Sequence, residues 1–486
     1  MQRRVLSAVV LAALATTTPV SAKDVLSGRV ETHIGRVELQ GGYPSAGSVK
    51  KIYDEIDFQR ASQAYIWATP IVAMEAIRRA NKRDWGVDYN EVGLVDGYTT
   101  PAISALTGNN TTIYAAVFAD LQRDGPVVID SPMGAYGVID DFWQRPVVEV
   151  GPFGPDKGKG GKFLLLPPGY TGTVPEGYLA AQSKTNQVMF IGRAFVKDGD
   201  IKSAVNTLTG IKAYPLSKAG NPPETRVVHA GDRPLDSVAP KGFDYWEILA
   251  DVLDRETVEE RDRFFHAMLK PLGIEKGKPF KPDARQKKIL TDAAQVGFLM
   301  AQTISMAPRL DNASSYPGTH WEWVLTLDPT QEAANYSQLD ERTDYTFEAI
   351  TIAEGMVKQI VGAGSQYMSA GKGKDGAWLE GGKNYTLHVP ANVPAKEFWA
   401  VTVYDVMTRS MVKTDTMKAG VSSQDKLKLN ADGSVDIHFG PKSPKGGGNW
   451  VKTIPGRGWF AYFRWYGPTE HFFDKTWTLP DIERRG

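Results

Sequence analysis

The chain has no cysteine. That excludes disulfides, thiol catalysis and cysteine-based zinc or iron–sulfur sites together. It has no excess of charge either, with 56 Lys and Arg against 56 Asp and Glu. The first 22 residues hold Arg3 and Arg4 and no acid, which leaves 54 basic and 56 acidic groups beyond them. The strong basic footprint of a nucleic-acid partner is therefore absent. No apolar run beyond residue 22 reaches the ~18 residues of a membrane span, so no span is expected. The seven histidines never fall in His-x-x-x-His or His-x-His spacing. No metal and no other cofactor is expected. The glycines from Gly158 to Gly161 lack the Gly-Lys-Ser/Thr ending of a phosphate loop, and no Gly-x-Ser-x-Gly elbow marks a nucleophile.

What the N-terminus does have is an export pattern. Arg3-Arg4 precedes the apolar run Val5 to Leu14, and Val20-Ser21-Ala22 supplies small residues at a cleavage position. This predicts a signal peptide over residues 1–22, a mature start at Lys23 and a periplasmic or secreted protein. The paired arginines leave twin-arginine export open beside the general route.

At 486 residues the chain is too long for one ordinary core. Asp54 to Arg83 carries apolar residues at helical spacing, and Pro70 inside it should kink or split the helix. Between about Val92 and Ala213 the period changes to short β-like runs, such as Val127 to Asp130, Pro146 to Val150 and Lys162 to Leu166, punctuated by Gly and Pro. Phe243 to about Ala370 turns helical, with one helix over Ala284 to Met306 stopped by Pro308 and another over roughly Tyr345 to Met368. From Trp378 strands return at Tyr385 to Val389, Phe398 to Tyr404 and Trp459 to Trp465, with a hairpin turn at Asn430 to Ser434. The expected fold is α+β: two β-sandwich or jelly-roll-like modules joined by a helical segment. Their expected limits are 50–235 for the N-terminal module with its leading kinked helix, 240–370 for the helices and 376–486 for the C-terminal module.

Polar-aromatic clusters occur once in each half: Asn109 to Tyr114 with Asp140 to Trp143, and Asn449-Trp450 with Tyr462 to Tyr466. Asn, Thr and Tyr supply neutral donors and acceptors, and Trp and Tyr supply stacking faces. Carboxylate pairs can serve as acid and base in glycosidic cleavage. Asp141 and Asp405 are the acid/base candidates, although Asp at strand ends also caps turns. Adjacent Asp140 and Asp141 should point to opposite faces of a strand. Asn109, Asn110, Tyr114, Trp143, Tyr404, Trp450, Arg464 and Tyr466 are the ligand-binding candidates. Arg464, mid-strand among aromatics, needs either a ligand anion or a structural carboxylate partner.

Asn110-x-Thr112-x-Tyr114, Asp141-x-Trp143 and Asn449-Trp450 with Arg464-x-Tyr466-x-Pro468 resemble a family of bacterial exported proteins. Its members carry two tandem domains of unknown function, catalogued as the twelve-fifty-four and twelve-fourteen domains. The resemblance covers nearly the whole mature chain. It implies two β-sandwich-like domains with helical additions and often a homo-oligomer, and it brings no agreed activity. Where an Asp often stands in the family, this chain has Thr111, which removes an acid from that spot.

The expected function is binding of, or action on, a polar small molecule, carbohydrate-like by default, in an aromatic, Asp- and Asn-lined pocket. Two other readings stand beside it. One is a non-catalytic cell-envelope or host-interaction protein whose aromatic strands form an oligomer interface. The other is a hydrolase of ester or amide xenobiotics, which the missing nucleophile motif disfavours.

Overall fold

A computed structural model describes residues 27–485, so the expected signal segment at 1–22 lies outside the described residues. The chain divides between Gln59 and Arg60 into two compact units. The first holds a small antiparallel sheet of Gly28–Thr32, Gly35–Gln40 and Tyr43–Pro44. The fold is mixed α+β, as the sequence pattern predicts, and no helix among the described residues is long and apolar enough to cross a membrane.

The helix Ala46–Ala80 runs through Pro70 without splitting, so of the two expected outcomes, a kink or a split, the split does not occur. A proline removes one N–H and frees the carbonyl four residues earlier, here that of Ile66. The Thr343 hydroxyl, which donates to the Leu339 carbonyl of its own helix at 2.7 Å, lies 3.3 Å from that oxygen, and the Arg342 guanidinium donates to the neighbouring Trp67 carbonyl at 2.8 Å. Polar side chains from another helix thus border the backbone that the proline interrupts.

In the second unit a six-stranded sheet packs against a four-stranded one. The larger includes Ile113–Asp120, Gln187–Ala194, Tyr136–Asp141 and Pro146–Val150; the smaller is centred on Val127–Ser131 and Gly161–Leu166. Side chains alternate along each strand, so each strand has one core-facing set. Ile113, Val117, Val188 and Phe190 from the larger sheet meet Val127, Ile129, Phe163 and Leu165 from the smaller in one apolar cluster.

The C-terminal part repeats this plan. A five-stranded sheet holds Ser365–Ala370, Trp459–Pro468 and Ala395–Asp405 side by side, and a four-stranded sheet holds Asn384–Val389 and Val435–Gly440. Val401, Phe463 and Trp465 pack with Leu387, Ile437 and Phe439 between them.

Between these parts, Ala284–Met306 is a helix over the expected residues, opened by a capping box of Asp283 and Gln286. The helix expected over Tyr345 to Met368 is corrected. A helix covers Leu339–Glu348, a single turn covers Glu354–Val357, and Ser365–Ala370 is a strand. Gly362 and Gly364 at φ of 76° and 71° interrupt any helix there. The strand forms because Trp459–Pro468 offers it a complete antiparallel partner, from Ser365 opposite Tyr466 to Ala370 opposite Ala461. The turn at Asn430 to Ser434 closes as expected, with the Asn430 N–H donating to the Ser434 carbonyl at 2.9 Å. Only its second arm, Val435–Gly440, is a strand.

Candidate functional site

Cross-strand partners share a sheet face, and so do residues two apart along a strand. On the six-stranded sheet, the face opposite its apolar core carries the row Tyr114, Arg193 and Tyr136. The next row on that face is Ala116, Ile191, Val138 and Glu149. On the five-stranded sheet, Phe463 and Trp465 face the core, so Tyr462, Arg464 and Tyr466 face the other way. Their partners there are Tyr367 beside Arg464 and Phe398 beside Tyr466. These two polar faces line one cavity of about 1020 Å³.

The sequence clusters meet in this cavity through Asn109. Its amide nitrogen donates to the Tyr466 hydroxyl at 2.5 Å and to the Tyr114 hydroxyl at 3.1 Å. Its amide oxygen accepts from the Thr111 backbone at 2.9 Å and from the Thr111 hydroxyl at 2.6 Å. The Asx-turn considered for this run is therefore present, and it positions the bond across to Tyr466. Tyr466 stacks on Phe398 with ring centroids 4.0 Å apart.

Arg464 is 5% exposed and has no carboxylate partner among the described residues. Its guanidinium donates to the Thr402 hydroxyl at 3.2 Å and to the Thr107 carbonyl at 3.0 Å. The rings of Tyr367, Tyr404 and Tyr462 surround it at 5.7, 5.6 and 5.1 Å. Burial alone would favour losing the charge, and the neighbouring phenols outweigh it, so the pKa is raised. Arg193 stands in the same position on the other sheet. It reaches the Ser365 hydroxyl at 3.5 Å, lies 5.3 Å from the Phe195 ring, and has a raised pKa of similar origin. The cavity also holds Glu149, whose carboxylate accepts the Glu354 backbone N–H and which burial pushes up to about 7.

The other candidates lie elsewhere. Asp141 does not line the cavity. It accepts the Trp143 and Arg145 backbone N–H groups at 2.9 and 3.0 Å, and the Arg145 guanidinium at 2.7 Å. Arg145 in turn reaches Glu259 at 2.5 Å, and the whole forms a buried turn held by ion pairs. Asp140 points away from it, as alternation requires, and accepts the Ile352 N–H at 3.1 Å. Asp405 accepts the Met407 and Thr408 N–H groups at 2.9 and 3.0 Å and is paired with Arg457. Burial alone would raise its pKa, but the Arg457 guanidinium and those N–H groups hold it below the usual value. Trp143 is buried against Trp67 at 4.8 Å. Tyr404 donates to the Gly108 carbonyl at 2.8 Å from behind the cavity wall, and Asn110 accepts from Thr402 at 3.3 Å. Trp450 lies in the strand Asn449–Lys452, with its indole N–H on the Gly440 carbonyl at 3.1 Å. Among the described residues no group of three or more His, Asp or Glu could hold a metal.

Residues 89–215 match the model described as Protein of unknown function (DUF1254), and residues 364–470 match Protein of unknown function (DUF1214). The chain carries both domains of this tandem pair. The first contributes Asn109, Tyr114, Glu149 and Arg193 to the cavity, and the second contributes Tyr367, Phe398, Arg464 and Tyr466. No curated protein matches the chain. The crystal structure of the VPA0106 protein from Vibrio parahaemolyticus is similar, with a TM-score of 0.52 at 20% identity, over 88% of this chain and 100% of that one. An uncharacterised protein from Burkholderia cenocepacia has a TM-score of 0.39 at 13% identity, over 90% of this chain and 96% of that one. The first of these likenesses concerns the fold alone.

Sequence reasoning missed Arg193, Glu149 and Tyr367. The signal for Arg193 was the one used for Arg464: a lone charge inside the apolar strand Gln187–Ala194.

Proposed function

We propose that the protein is exported and binds a polar small molecule in the cavity between its two domains, each of them a β-sandwich. The hydrogen bond from Asn109 to Tyr466, across 357 residues of chain, carries this reading. It holds two otherwise separate polar faces around one space, whose size matches the upper range of small-molecule sites. Hydroxyls of Tyr114 and Tyr466 and the ring of Phe398 offer the hydrogen bonds and stacking that a hydroxylated, carbohydrate-like ligand uses. If the site also catalyses, Glu149 is the carboxyl that lines it, while Asp141 and Asp405 shape turns outside it. The oligomer-interface reading loses its main support, because all ten residues of the aromatic strand Trp459–Pro468 are buried within their own chain.

A panel of sugars, polyols and organic acids, scanned by melting temperature, tests the proposal. A bound ligand at 100 times its Kd stabilises by about 2.7 kcal/mol. The expected result is a shift with at least one class that disappears in Asn109→Ala. No shift with any class would overturn the proposal.

A further inference from the structure

We propose that the cavity takes an organic oxyanion, a carboxylate or phosphate monoester on an apolar body, with its charged head held between Arg193 and Arg464. This rests on the small-molecule reading above and names the ligand class.

The two arginines come from different domains and line the same cavity. Arg193 registers against Tyr114 on its own sheet and reaches Ser365 on the other. Ser365 registers against Tyr466, which lies on the same face as Arg464 and two residues from it, roughly 7 Å along the strand. Asn109 closes the ring by joining Tyr466 to Tyr114.

Neither charge is neutralised by the chain. The protein supplies carboxylates to Arg145 from Asp141 and Glu259, while the buried Arg342 and Arg409 have no ion pair among the described residues and do not line the cavity. Around Arg193 and Arg464 it supplies phenols, hydroxyls and a carbonyl instead. Glu149 is the acid on the Arg193 face, but it sits one strand pairing and one row away, with its carboxylate on the Glu354 N–H. Asp198, Asp200 and Glu397 also line the cavity, where they are exposed and do not pair with either arginine. Two cations left without anions in a part-desolvated space favour a ligand that brings one, because charge-assisted bonds to a guanidinium are strong and directional.

The rest of the lining sets the body of the ligand. Trp85, Val95, Ile103 and Leu235 form an apolar cluster that also borders the cavity. The site thus has a cationic region and an apolar region, which suits an amphipathic acid.

The test uses the full mature chain and four probes in titration calorimetry: octanoate, octyl phosphate, octanamide and octyl glucoside. Octanoate or octyl phosphate is expected to bind at least tenfold more tightly than octanamide, and the better of the two identifies the preferred head. Arg464→Gln and Arg193→Gln should each weaken the acid at least tenfold and leave octanamide unchanged. The acid–amide comparison on the unaltered protein needs no variant to fold. Equal affinity for octanoate, octyl phosphate and octanamide would overturn the oxyanion proposal. Binding of octyl glucoside or other neutral ligands alone would also overturn it while leaving the small-molecule site standing. If neither these probes nor the sugar, polyol and acid panel binds, both readings fall.

Discussion

Two buried arginines in this chain have opposite settings. Arg145 lies between Asp141 and Glu259, with its side chain 5% exposed and its charge answered twice. Arg464 is equally buried and meets only phenols, a hydroxyl and a carbonyl. The first arrangement fixes a turn, in which Gln144 takes a positive φ of 62° and Asp141 binds the backbone on either side. The second leaves charge pointed into a cavity. A buried cation is costly unless something compensates it. Arg342 and Arg409 are also buried without an ion pair among the described residues, so it is the cavity beside Arg464 that sets it apart.

The largest expected effect comes from breaking the answered pair. Arg145→Met strands Asp141 and Glu259, and should destabilise by about 3–5 kcal/mol in denaturant unfolding. Arg464→Met removes a charge without stranding another. Its loss should stay below about 2 kcal/mol, the range of a few forfeited hydrogen bonds. If the two variants lose stability equally, the contrast between the arginines is false.

Asp405 extends the comparison to a half-screened pair, since the Arg457 side chain is 45% exposed. Asp405→Asn should cost about 1 kcal/mol at neutral pH. Because the Asp405 pKa is depressed, its contribution is present above the ordinary carboxyl value and fades as pH falls through the lowered one. The variant and the parent should therefore converge in acid, which melting curves against pH would reveal.

Glu149 gives an effect of the opposite sign. Its pKa is raised from 4.5 to about 7 by burial, so the folded chain holds a proton that the unfolded chain has released. Its contribution is full below about 4.5 and is lost as pH rises to about 7. Glu149→Gln should flatten that part of the stability profile. An unchanged slope would show that Glu149 titrates normally.

Much of the architecture was legible because periodicity survives locally. The helix Ala284–Met306 and the strands around Phe398 to Tyr404 and Trp459 to Trp465 stand where their patterns put them. The strand Ser365–Ala370 was not legible, since its apolar spacing also suits a helix and only its pairing with Trp459–Pro468 decides. A split at Pro70 stayed open in the sequence because the polar side chains that border the interrupted turn, Arg342 and Thr343, lie some 270 residues away. For the site, Asn109, Tyr114, Arg464 and Tyr466 meet at one cavity. Asp141 and Asp405 looked chemically promising because a turn cap and a catalytic acid share the same residue type at the same strand ends.

The central claim is that polar faces from two domains form one site. A double-mutant cycle tests it most directly, using the octanoate or octyl phosphate affinity of Arg193→Gln, Arg464→Gln and the double variant. Groups that grip the same head are coupled, so the double variant should lose distinctly less than the product of the two single losses. A double loss equal to that product would place the arginines in independent sites and contradict the account.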